Sequence, residues 1–109
     1  MDMKEIRYFT LQNKCPVLDW MKRLAAKEKR LAAMYIERLA CGNTGASKSL
    51  KGGLWELRLH VSSGLRIYFA YEGDKLVILL CGGDKGTQKK DIEKARGYLT
   101  VWREIYENY

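Results

Sequence analysis

The sequence predicts an α+β domain in which a helical hairpin and a C-terminal helix pack on a small, mostly antiparallel sheet. Three observations carry this. Between residues 54 and 81 lie three strand-like runs, joined by turns too short to hold a crossover helix, which makes an antiparallel meander. Residues 16–40 repeat apolar side chains at helical spacing with no glycine among them. A second helical stripe, Ile92, Ala95, Leu99, Trp102 and Tyr106, reaches almost to the C-terminus. The predicted order is β, α, α, β, β, β, α in one domain over residues 1–109, long enough for a single core.

Taken in order, Ile6–Leu11 is the first strand, with Ile6 and Tyr8 on one face. Pro16 suits the first turn of a helix, where its missing N–H costs nothing. Val17, Trp20, Met21 and Leu24 continue that helix, and Leu31, Met34 or Tyr35, and Leu39 repeat the pattern in a second one. The polar Lys27-Glu28-Lys29 run divides the two. Residues 41–49, rich in Gly, Asn, Thr and Ser, read as a loop.

Alternation then sets in. Trp55, Leu57, Leu59 and Val61 point one way, and Glu56, Arg58 and His60 the other. After a turn at Ser62-Ser63-Gly64, Leu65, Ile67, Phe69 and Tyr71 face the core opposite Arg66, Tyr68 and Ala70. Leu76–Cys81 is apolar without a break, which predicts a central strand buried on both faces. Gly82-Gly83 lacks the spacing of a phosphate loop and reads as a sharp turn off that strand.

Composition narrows the class. The net charge is +7, and within 85–96 five Lys/Arg face only Asp91 and Glu93, which points towards a polyanion such as nucleic acid. No run approaches the roughly 18 apolar residues of a membrane span, and the charged N-terminus carries no secretory pattern, so a cytoplasmic location is expected. Cys15, Cys41 and Cys81 show no paired spacing and read as reduced, mostly buried thiols. With one histidine, neither a metal site nor a cofactor is expected.

The polar faces of the meander carry Glu56, Arg58, His60 and Arg66, with Lys85 just past the last strand. Two readings stand side by side. The arginines are solvated residues on an open sheet face, paired with Glu56 across strands. Alternatively they hold phosphate, for which the planar fork of Arg66 suits two oxygens. His60 is either a surface residue or a proton-transfer group, histidine being the side-chain type that titrates near neutral pH. Glu56 is a second possible base or an orienting partner for Arg58. Trp20, Trp55 and Trp102 lie on apolar stripes and read as core, whereas Tyr68, on the face of Arg66, is the candidate for stacking on a base.

The strings GGLWELRLH (52–60), GLRIYF (64–69) and LVILLCGGDK (76–85), followed by QKKDIEKA (88–95), resemble the RelE/ParE superfamily of toxins from bacterial type II toxin–antitoxin modules. The likeness is closest to the HigB-like, phage-related addiction module killer branch. It implies a RelE-like (microbial-ribonuclease-like) α+β fold and a metal-independent endoribonuclease, an mRNA interferase that cuts mRNA on the ribosome. It also implies a cognate antitoxin, a small helix-turn-helix protein through which alone operator DNA is met. The family's second-strand arginine matches Arg66, and its basic residue after the last strand matches Lys85. Two lysines of the preceding strand fall at Arg58 and Glu56, and the tyrosine of the last helix falls near Asp91. The resemblance thus gives Arg66, Lys85 and Arg58 as catalytic candidates, to which the chemistry of proton transfer adds His60. Lys51, Tyr68, Lys89, Lys90 and Lys94 are the candidate RNA or ribosome contacts. ParE-type relatives poison DNA gyrase by binding, and an inactive toxin working only in a repressor complex is a further alternative.

Overall fold

The computed structural model describes residues 3–107. Its architecture is α+β, with a five-stranded mixed sheet and three α-helices. In chain order these are β1 (Glu5–Tyr8), α1 (Pro16–Lys22), α2 (Ala26–Ala40), β2 (Ser47–Ser49), β3 (Leu54–Arg58), β4 (Arg66–Glu72), β5 (Leu76–Gly83) and α3 (Gln88–Glu107), with a 3-10 turn at Lys85–Thr87 before α3. The strands lie in the order β1-β5-β4-β3-β2. β1 runs parallel to β5, and the other three pairings are antiparallel.

The uninterrupted apolar run of β5 follows from its place. It is hydrogen-bonded to β1 and β4 and covered on both faces, so neither set of alternating side chains meets water. On one face α1 and α2 bring Val17, Trp20, Tyr35, Ile36 and Leu39 against Leu57, Ile67, Phe69, Val77 and Leu79. On the other, α3 lays Ala95, Leu99 and Trp102 over Leu54, Tyr68, Ala70, Ile78 and Leu80. The face that alternation assigns to water on β3 and β4 is therefore the floor of a second core. Glu56, Tyr68 and Ala70 are buried there because α3 covers the sheet.

The sequence expectations differ from the structure in three further places. Residues 47–49, expected to be loop, form the edge strand β2, paired Ser47↔Leu57, Lys48↔Glu56 and Ser49↔Trp55. The helical hairpin breaks at residues 23–25, and Lys27-Glu28-Lys29 lies inside the first turns of α2. Among the cysteines, Cys81 is buried, Cys15 partly buried and Cys41 exposed. Burial, then the nearby Asp91 carboxylate, pushes the Cys81 thiol up to about 12, so it stays protonated at neutral pH.

A bulge decides the chemistry of the sheet's end. The β4–β5 register steps from Phe69↔Leu79 to Tyr68↔Cys81, which leaves Leu80 as an extra residue and reverses the facing of everything beyond it. Gly82 consequently lies beneath the Trp20 ring of α1, and Gly83 beneath the Asp91 carboxylate of α3. This corrects the reading of the glycine pair as a turn. Both lie within β5, and each is there because a neighbour on its own face leaves no room for a Cβ.

A methyl group on Gly82 would sit 2.3 Å from Trp20 Cε3. Gly82→Ala should therefore lose about 1–3 kcal/mol of stability. Gly97→Ala, at a helix position with open space around it, should match or exceed wild type by up to about 1 kcal/mol. Urea unfolding of the two variants tests the pair.

Candidate functional site

Arg58 ends β3, Arg66 begins β4, and the two are register partners. Like charges placed directly opposite in a sheet repel. The structure answers this with Glu56, which is wholly buried beneath them. Its Oε1 accepts a hydrogen bond from Arg58 Nε at 2.9 Å, and its Oε2 accepts one from Gln88 Nε2, at the start of α3, at 2.8 Å. Arg66 Nε stands 3.7 Å from the same Oε2, an ion pair that is too long to be a hydrogen bond.

Burial alone would raise the Glu56 carboxyl. The hydrogen bonds from Arg58 and Gln88, and the charges of Arg58 and Arg66, outweigh it and hold the group below the usual carboxylate range. Glu56 is ionised at neutral pH, with both oxygens engaged. Of its two sequence readings, the geometry favours orienting partner over base.

The Arg66 side chain is only 11% exposed, and its Nη1 donates to the Gly64 carbonyl at 2.7 Å. Gly64 takes a φ of +67°, which glycine adopts without penalty. A Cβ there would lie 3.1 Å from Lys85 Cβ and 3.2 Å from Arg66 Nη1, so this residue is the spacer between the two cations. Lys85 opens the 3-10 turn, whose backbone is fixed by Asp84: Oδ1 accepts from the amides of Gly86 at 2.8 Å and Thr87 at 3.2 Å.

Arg58, His60 and Arg66 line one groove of about 710 Å³, together with Lys48 of β2. The sequence reading missed Lys48, since Ser-Lys-Ser is too short and too polar to announce a strand. Its register opposite Glu56 is what brings it in. His60 is exposed, with its backbone N–H donating to the Tyr35 hydroxyl at 3.4 Å. The loop that carries it is pinned to α2 by the Ser63 hydroxyl, which donates to Glu28 at 2.8 Å. The remaining candidates are dispersed. Lys89 and Lys90 are exposed on the first turn of α3, close to the Lys85–Thr87 turn. Lys90 and Lys94 border a separate groove with Trp20 and Arg23, floored by Gly82 and Gly83.

One expected RNA contact needs correction, and another lies away from the groove. Tyr68 is fully buried under α3 and offers no ring face to a base. Burial first, then the carboxylates of Glu56 and Asp91, raises its hydroxyl well above the ordinary tyrosine value. Lys51 sits before Leu54, at the opposite end of β3 from Arg58, where its carbonyl accepts from Arg96 Nη1. The rise along β3 separates the two ends by roughly 13 Å.

A small α+β domain with a cationic groove at one end of its sheet is the class this architecture defines. The family model described as Phage derived protein Gp49-like matches residues 19–99, and the chain belongs to that family, one of phage-derived addiction-module toxins for which an antitoxin partner is implied. The chain is also 48% identical over 79 residues to an uncharacterized protein of Haemophilus influenzae, a match covering 72% of this chain and 78% of the relative. Among the described residues no helix is long and apolar enough to cross a membrane.

Because the folded-state value of Glu56 is depressed, its charge stabilises the fold above the ordinary carboxylate value of about 4.3. That contribution disappears as pH falls further, through the lower folded value. Urea midpoints measured from pH 6 down to pH 3 should fall more steeply for wild type than for Glu56→Gln. Parallel curves would remove Glu56 from the acid-sensitive groups.

Proposed function

We propose that this chain is a RelE/HigB-like toxin that cuts mRNA on the ribosome, with Arg58, Arg66 and Lys85 stabilising the phosphorane and His60 transferring a proton. The observation that supports this most is the pair of register-matched arginines, with His60 and Lys48, around a groove open to a strand of RNA. One carboxylate offsets only part of the charge of two adjacent arginines, and a phosphate group between them would offset the rest.

The chemistry is a transesterification. The ribose 2′-oxygen bonds to the neighbouring phosphorus and gives up its proton to a base. The bond from phosphorus to the 5′-oxygen breaks, and that oxygen takes a proton from an acid. The products are a 2′,3′-cyclic phosphate and a 5′-hydroxyl, and no electron changes hands. The negative charge that grows on the equatorial oxygens is what the guanidinium groups and Lys85 meet in place. His60, exposed on the groove wall, serves as one of the two proton-transfer groups. The lysines of α3 add positive charge that meets RNA phosphates in docking, and the antitoxin, a helix-turn-helix protein, restrains the toxin and carries it to operator DNA.

Inducing the chain in cells and mapping new RNA 5′ ends beside a DNA-damage reporter tests the reading. Cuts within translated frames are expected. DNA damage with intact mRNA would assign the chain to gyrase poisons instead. Arg66→Lys keeps the charge over Glu56 but loses the fork, so it should melt near wild type and lose at least about tenfold in single-turnover cleavage. Lys85→Ala should slow cleavage at saturating ribosomes by more than it weakens ribosome binding. A loss in affinity alone would move Lys85 to the docking surface.

A further inference from the structure

We propose that Glu56 is the positioning residue of the groove: its carboxylate spaces the guanidinium groups of Arg58 and Arg66 so that both reach one phosphate group, and Gln88 fixes that carboxylate from α3. The inference rests on the ribonuclease reading only for its kinetic arm.

A fully buried carboxylate is costly unless its oxygens are satisfied. A fold that needed only packing at this position would do as well with an apolar side chain, and replacing buried ion pairs so is often neutral or stabilising. What the carboxylate adds is geometry. It takes the Nε of Arg58 and leaves both Nη nitrogens of that residue for a ligand in the groove. It attracts Arg66 at 3.7 Å without consuming a hydrogen bond, while the Gly64 carbonyl holds Nη1 of that residue and leaves Nη2. Arg58 and Arg66 are therefore tethered from beneath, with donors left over on both.

Gln88 completes the arrangement. It is a neutral donor on Oε2, so it fixes the carboxylate rotamer without competing for the arginines as a third cation would. It also begins α3, the helix whose later turns close the core over Tyr68 and Ala70. Seating of that helix on the sheet and orientation of the arginines thus become one event.

The experiment compares wild type, Glu56→Gln, and the double variant Glu56→Gln/Gln88→Glu. In the single variant the amide oxygen still accepts from Arg58, its NH2 turns towards Gln88, and Gln88 must flip to accept with its own oxygen, so the hydrogen bonds can persist while the charge beneath the arginines is lost. The double variant restores the net charge and gives the NH2 a carboxylate acceptor, but moves that carboxylate to position 88. Two readings are taken: NMR signals of the arginine Nε–H groups during titration with inorganic phosphate, and single-turnover RNA cleavage at saturating ribosomes. In wild type, phosphate should shift the Arg58 and Arg66 signals together. In both variants the shifts should uncouple, and cleavage should slow by about tenfold or more with ribosome affinity changed far less. The double variant should nevertheless recover most of the thermal stability lost in the single one.

Shifts that are identical in all three proteins, or absent at both arginines of wild type, overturn the positioning role. So does a double variant that regains the full cleavage rate, since connectivity and not the carboxylate at 56 would then suffice. A wild-type protein that cuts no RNA but shows the coupled shifts, lost in Glu56→Gln, sinks the ribonuclease reading and leaves this inference standing.

Discussion

The architecture of this end of the molecule turns on one ionised side chain placed where no water reaches it. Glu56 is buried between the sheet and α3, and every neighbour of consequence is there to meet its charge. Arg58 and Gln88 satisfy its oxygens, and Arg66 lies over it. The β3–β4 pairing could otherwise not place two arginines opposite one another without repulsion. The sheet supplies the spacing and the carboxylate supplies the sign. A groove wall that would be ordinary solvated surface on an open sheet becomes a constrained cationic array.

The second dependence is the two-sided burial of the sheet. Two or three buried residues per face of each central strand are enough for a core only because helices close both sides, α1 and α2 on one and α3 on the other. The cost falls on α3, which must cover a face carrying Glu56 and the Tyr68 hydroxyl as well as Leu54, Ala70, Ile78 and Leu80. Placing Gln88 and Asp91 at the start of the helix and Ala95, Leu99 and Trp102 further along resolves this. The polar end of the helix lies over the polar end of the sheet.

Much of this was legible in the sequence, and the gaps have physical causes. The meander, the helical hairpin and the stripe of α3 follow from periodicity, and the central position of Leu76–Cys81 from its lack of alternation, because burial imposes both. The identity of each strand's second face did not. Alternation says that Glu56, Arg58 and Tyr68 share a side, but not that a distant helix covers that side as far as Glu56 and stops short of Arg58. Lys48 was hidden because β2 owes its existence to pairing with β3 and not to its own three residues. Gln88 was unremarkable in sequence, since its role comes from a contact 32 positions away. Arg66, Arg58, His60 and Lys85 could be named from strand patterning and resemblance, yet their grouping around Gly64 is a property of the folded turn.

The bulge at Leu80 has a consequence for how such a chain can be altered. It divides β5 into two stretches with opposite phase, one packed in the two cores, the other fitted beneath Trp20 of α1 and Asp91 of α3. Packing demands on residues 76–79 and steric demands on residues 81–83 are thereby decoupled along a single strand. Recombination between related chains at this position would exchange one end of the sheet without disturbing the facing of the other. Deleting the extra residue would turn one half of the strand inside out. The extra residue thus marks a seam along which the two ends of the sheet can diverge separately.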